Sequence, residues 1–170
     1  MPLPPRDRFE EHVLPHLDSV FRVARRLVGN DADADDLVQE TMLRAFRAFG
    51  RFEMREYGVK PWLLKILHNA SFTRRSKVKK QPVSRDDAYF AQFAGRLQGN
   101  DQTTGIGNID WDSIDEELKG AVDSLPPEYR LVLLLWSFEE LSYKEIADVC
   151  DCAIGTVMSR LYRARQLLVD

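Results

Sequence analysis

The chain of 170 residues has only two cysteines, three histidines and no long apolar run. Each shortage excludes something. Leu131–Trp136, the longest uninterrupted apolar stretch, falls far short of the roughly 20 residues needed to cross a bilayer. No membrane insertion is expected. The start, Met1-Pro2-Leu3-Pro4-Pro5-Arg6, lacks the apolar core of a secretory signal, and the expectation is a cytoplasmic protein. Cys150 and Cys152 are one residue apart, poor spacing for a bridge or half a zinc ribbon, so both read as small buried apolar residues. His12 and His16 lie one helical turn apart but lack the further ligands that would complete a metal site. No catalytic residue, metal or cofactor is expected.

The net charge of −3 hides an uneven distribution. Residues 51–85 carry 10 basic and 2 acidic side chains, whereas residues 86–140 carry 3 and 12. Such a basic block followed by an acidic stretch suits two nucleic-acid-facing surfaces separated by a spacer.

Hydrophobic periodicity supplies the architecture. Phe9, Val13, Leu17, Val20, Phe21, Ala24 and Leu27 recur every three or four residues, predicting one helix closed by Gly29-Asn30. Asp31 or Asp33 can cap a second helix, striped by Ala34, Leu37, Val38, Met42, Ala45, Phe46 and Phe49. Pro61 suits the first turn of a third, running to about Lys80. Residues 81–110 are rich in glycine and polar residues and read as a linker, with a possible short turn of helix from Ala88 to Leu97. Beyond it, a helix is expected to end before Pro126-Pro127, and another to contain Leu131 to Trp136. Shorter helices are expected from Ser142 to about Cys150 and from Ala153 to Leu168. The fold class is all-α, with two small helical domains (1–80 and 111–170) joined by a flexible linker (81–110).

The last two helices have the form of a DNA-binding helix-turn-helix. Ser142 and Glu145 can make a reciprocal capping box. Val157, Leu161, Ala164 and Leu168 form the buried stripe of the second helix, which leaves Thr156, Ser159, Arg160, Tyr162 and Arg163 on its sides and outer face. From Ala153 to Val169 there are three arginines and no acid, so that face can approach phosphates and base edges. In the first half, Asp36, Gln39 and Glu40 share one polar helical face that can pair with basic side chains of a partner helix. The basic segment interleaves Arg51, Lys60, Lys65, Arg74, Arg75, Lys77, Lys79 and Lys80 with Phe52, Tyr57, Trp62 and Phe72. Cations follow a backbone while rings stack on unpaired bases. Trp62, at the start of an apolar stripe, reads as core in preference to stacking platform.

Taken together, these motifs resemble the extracytoplasmic-function group of bacterial sigma factors, within the sigma-70 family. The resemblance rests on Asp33-Ala34-Asp35-Asp36-Leu37-Val38-Gln39-Glu40, Phe46, Arg51-Phe52 and Pro61-Trp62-Leu63 in the first half. In the second half it rests on Leu125-Pro126, Tyr129-Arg130, Leu141 to Ala147 and Gly155 to Arg165. It implies an alternative sigma factor that binds RNA polymerase core, through the clamp coiled coil and the flap, and directs promoter-specific initiation. Asp36, Gln39 and Glu40 would meet the polymerase. Arg51, Phe52, Lys65, Asn69, Phe72, Arg74 and Arg75 would hold the opened −10 promoter DNA, with Asn69 near a flipped base. Thr156, Met158, Ser159, Arg160, Tyr162 and Arg163 would read the −35 element. An anti-sigma factor is a further implied partner. Ala153 stands where relatives often carry Ser or Pro, and Met158 where a basic residue is frequent. The −35 preference of relatives therefore does not transfer. The competing reading is a helix-turn-helix regulator that acts on duplex DNA without polymerase; it leaves Asp36, Gln39, Glu40 and the aromatic-basic block without a role.

Overall fold

The computed structural model of the chain describes residues 6–51, 58–74 and 110–169. All regular structure among these residues is helical, and they divide between Lys79 and Lys80 into two compact units.

The first unit contains α1 (Arg6–Val13), α2 (Leu17–Val28), α3 (Asp31–Ala48) and α4 (Val59–Arg74). The single helix expected from Phe9 to Leu27 is in fact interrupted by a 3-10 turn, Leu14–His16. Pro15 is the cause, because its ring blocks the carbonyl one turn back and it has no N–H to donate. The periodicity survives the break, and Phe9, Val13, Val20, Ala24 and Leu27 are all buried. Gly29 ends α2 in the left-handed region, φ 80°, where a side chain would be strained.

The cap of α3 also differs from expectation. Asn30, not Asp31 or Asp33, is the N-cap, its Oδ1 accepting the Asp33 backbone N–H at 2.9 Å. The Asn30 amide in turn donates to the Asp33 carboxylate at 2.8 Å, placing acid where the helix dipole favours it. Helix α3 packs on both α2 and α4, with Leu37, Leu63, Leu64 and Leu67 almost fully buried between them. Phe9 sets its ring edge-on against Phe46 and Phe49, at 5.1 and 5.5 Å. Trp62 is half-buried with its ring 6.3 Å from that of Phe49, in line with the core reading.

The second unit contains α5 (Glu116–Asp123), α6 (Pro127–Ser137), α7 (Tyr143–Cys150) and α8 (Ile154–Val169). Asp115 caps α5, and Pro127 opens α6 at a position where a missing N–H costs nothing. The Leu125-Pro126 and Tyr129-Arg130 motif is structural, for the Arg130 guanidinium donates to the carbonyls of Asp123 and Leu125 at 2.7 and 2.8 Å. It closes the end of α5 against the start of α6. Helix α6 is buried along its whole apolar run, and α8 packs across both α6 and α7. The segment expected as a linker, 81–110, lies outside the described residues apart from Asp110, as does the short turn expected at Ala88 to Leu97. Among the described residues, no helix is long and apolar enough to cross a membrane.

Candidate partner and nucleic-acid interfaces

Three groups of residues carry the functional expectations. On α3, Asp36 and Gln39 are exposed and Glu40 is half-buried; their spacing places them on one face. The Glu40 carboxylate accepts from Arg44 at 2.7 Å, an i,i+4 pair with both side chains about one-third exposed. One turn beyond Gln39, Leu43 is 57% exposed. Sequence reasoning missed this apolar side chain among charges. Its signal was available, since Leu43 stands off the stripe formed by Leu37, Val38, Thr41 and Ala45.

On α4, Lys65, Asn69 and Phe72 recur at intervals of four and three and so share one stripe, opposite the buried Leu63, Leu64, Leu67 and Ala70. Asn69 is exposed, Lys65 and Phe72 are half-buried, and the Phe72 ring lies 4.2 Å from that of His68. Arg51 is exposed in the 3-10 turn Phe49–Arg51, on a different element. Phe52 and Arg75 lie outside the described residues, and Arg74 is described only as the last residue of α4.

The helix-turn-helix is built as its sequence suggests. Ser142 Oγ accepts the Glu145 N–H at 3.1 Å, and Glu145 accepts the Ser142 N–H at 3.3 Å, completing the capping box. Asp151 turns the chain in the left-handed region, φ 50°. Ala153 then starts α8, its carbonyl accepting from the N–H groups of Thr156 and Val157. Gly155, Val157, Leu161 and Ala164 are buried against the neighbouring helices; Leu168 is only half-buried. Thr156, Met158 and Arg160 are half-buried, while Tyr162 and Arg163 are exposed. The Tyr162 hydroxyl accepts from Gln166 at 2.8 Å.

One expected site residue is corrected. Ser159 is not on the exposed side of α8: it is 3% exposed, and its hydroxyl donates to the Thr156 carbonyl at 3.0 Å. The stripe drawn from Val157, Leu161, Ala164 and Leu168 is too narrow, because tertiary packing buries a wider arc. A second surprise is Arg165, whose guanidinium lies over the Trp136 ring, 4.5 Å from its centroid.

Cys150 is buried and Cys152 half-buried. Hydrogen bonding to the Cys152 thiol and burial hold the Cys150 thiol well above its ordinary range, with Arg160 acting weakly in the opposite sense. Protonated and enclosed, Cys150 packs as a small apolar residue. His12 lies beside the Phe49 ring at 6.1 Å. Among the described residues no group of three or more His, Cys, Asp or Glu side chains could hold a metal ion.

These two helical units match two known family models. Residues 12–81 match Sigma-70 region 2, and residues 115–168 match Sigma-70, region 4. The chain is 36% identical over 166 residues to the ECF RNA polymerase sigma factor SigE of Mycolicibacterium smegmatis, covering 95% of this chain and 60% of that protein. It is 32% identical over 166 residues to the ECF RNA polymerase sigma factor EcfG of Rhodopseudomonas palustris, covering 98% of this chain and 86% of that one. Among solved structures, the sigma factor RpoE from Bartonella quintana, determined in complex with the anti-sigma factor NepR, superposes with a TM-score of 0.68 at 28% identity. That match covers 95% of this chain and 94% of RpoE. The chain belongs to the extracytoplasmic-function sigma factors of the sigma-70 family.

Proposed function

We propose that this sigma factor binds RNA polymerase core and directs it to promoters by gripping DNA at two places, with no chemistry of its own. The observation that carries the reading is the coexistence of two units, each presenting one polar or charged face: the stripe of Asp36, Gln39 and Glu40 on α3 and the capped helix-turn-helix ending in α8.

In this reading Asp36, Gln39 and Glu40 meet the polymerase clamp, since a polar, acidic helical face suits a basic partner helix. Arg51, Lys65, Asn69 and Phe72, together with Phe52, Arg74 and Arg75, hold the separated −10 strand. Stacking of bases on rings contributes about 1–3 kcal/mol each and offsets part of the cost of opening. Thr156, Met158, Arg160, Tyr162 and Arg163 enter the major groove at the −35 element; Ser159, turned onto Thr156, is left out. The polymerase flap would bear on the C-terminal unit, and an anti-sigma protein would cover these faces when the factor is off; the B. quintana relative was crystallised in complex with an anti-sigma factor. A duplex-binding regulator that works without polymerase is disfavoured, because it leaves the α3 stripe unused.

Transcription from a promoter library, using purified core with and without the chain, tests the proposal. New start sites that depend on the chain, sharing two sequence elements upstream, are the expected result. Identical start sites with the chain omitted would overturn it.

A further inference from the structure

The recognition helix carries three arginines, which its sequence presents as one cationic set facing DNA. The structure separates them. Arg163 and Arg165 are both exposed and Arg160 is half-buried, but the Arg165 guanidinium sits 4.5 Å from the centre of the Trp136 ring. Trp136 lies on α6 and is 5% exposed. We propose that Arg165 is a positioning residue: it fixes the second half of α8 against α6 through Trp136 and makes no phosphate contact, so the DNA-reading surface of α8 ends at Arg163. The inference rests on the proposed duplex binding by α8.

Two observations favour a selected interaction over an accidental one. First, the Trp136 indole Nε1–H is buried and makes no hydrogen bond among the described residues. A buried, unsatisfied donor is costly, and phenylalanine would fill much of the same space without it. Tryptophan offers the strongest cation-attracting face of the aromatic side chains, which is what Arg165 uses. Second, α8 starts from Ala153, whose side chain has no oxygen with which to cap the helix. The helix must therefore draw its alignment from packing, and its most extensive packing is on α6. A cation–ring interaction at Arg165 secures the end of α8 farthest from the turn.

The test measures binding of the full chain to a short duplex carrying a −35 sequence selected by its holoenzyme, over a range of salt concentrations. Removing one phosphate-neutralising cation flattens the dependence of log K on log salt by about 0.9. Arg163→Gln should flatten it by about that amount. Arg165→Gln should leave the slope unchanged while weakening binding at every salt concentration by roughly two- to fivefold, the range of a partly exposed cation–ring interaction. Arg165→Lys should recover most of the loss, since an ammonium is also drawn to the ring. Trp136→Phe should weaken binding similarly, and adding Arg165→Gln to it should cost less than it costs alone. Flattening by Arg165→Gln, or full additivity of the pair, overturns the proposal. If Trp136→Phe does not fold, the salt slope of Arg165→Gln still decides. Should neither Arg163→Gln nor Arg165→Gln change the slope, with affinity also unaffected, the duplex-binding role of α8 fails instead.

Discussion

Helices α3 and α8 each present the charged face of their own unit, yet they are held in place by different means. Helix α3 is stabilised locally: Asn30 caps it, and Asp31 and Asp33 occupy the first turn where the dipole favours negative charge. Helix α8 has no acid in its first turn and begins from an alanine. It depends on the buried Gly155, Val157, Leu161 and Ala164 and on the packing of Arg165 over Trp136. Surface changes on α3 should therefore report on partner binding alone, whereas changes on α8 should report on binding and folding together.

The largest effect expected is loss of the packing on which α8 depends. Leu161 is 3% exposed, so Leu161→Ala should cost about 2–5 kcal/mol of stability in the C-terminal unit. Urea denaturation followed by circular dichroism measures this, and an unchanged midpoint would show that α8 holds itself. The complementary experiment reverses charge on α3. Asp36→Lys combined with Gln39→Lys, both exposed, should weaken binding to polymerase core at least tenfold, because like charges set against a basic partner cost several kcal/mol. Stability should move only within about 0.5 kcal/mol, as is usual for surface substitutions. Core binding by size exclusion, paired with a thermal melt, separates the two quantities.

Much of this contrast is legible in the sequence. The Ser142-to-Glu145 capping box is local, involving side chains and amides within one turn, so spacing alone determines it. The acidic face of α3 is equally accessible, being a matter of residues at i, i+3 and i+4. Three features are not. The break at Pro15 escapes notice because the apolar repeat passes through the 3-10 turn without losing phase. Ser159 reads as exposed because a stripe drawn from apolar residues misses small polar ones that close packing also covers. Arg165 groups with its neighbours because its partner, Trp136, belongs to another helix. Whatever depends on two elements meeting cannot be read from the period of either one.

Smaller changes sharpen the comparison at the helix starts. Ser142→Ala removes the acceptor for the Glu145 N–H and should cost about 0.5–2 kcal/mol. Ala153→Ser offers α8 the side-chain acceptor it lacks and should raise stability by up to about 1 kcal/mol. If the serine gains nothing in a thermal melt, packing already satisfies the start of α8, and the contrast with α3 is one of mechanism without consequence for stability.

The smallest effect concerns His16, in the 3-10 turn beside α2. Burial, followed by the nearby Lys60 cation, lowers its pKa from the ordinary value of 6.5. The folded unit thus disfavours the imidazolium, and the unfolded chain takes up the proton first as pH falls. The contribution to stability is fully retained above 6.5, declines as pH drops from there through the lower native pKa, and is completely lost below it. His16→Gln should therefore reduce the fall in melting temperature between about pH 7.5 and about pH 5.5, since it removes one group that binds protons more tightly when unfolded. Lys60→Gln should reduce that fall by less, because burial is the larger cause. Equal falls in the wild type and His16→Gln would mean that the imidazole is as free to ionise in the folded unit as in the unfolded chain.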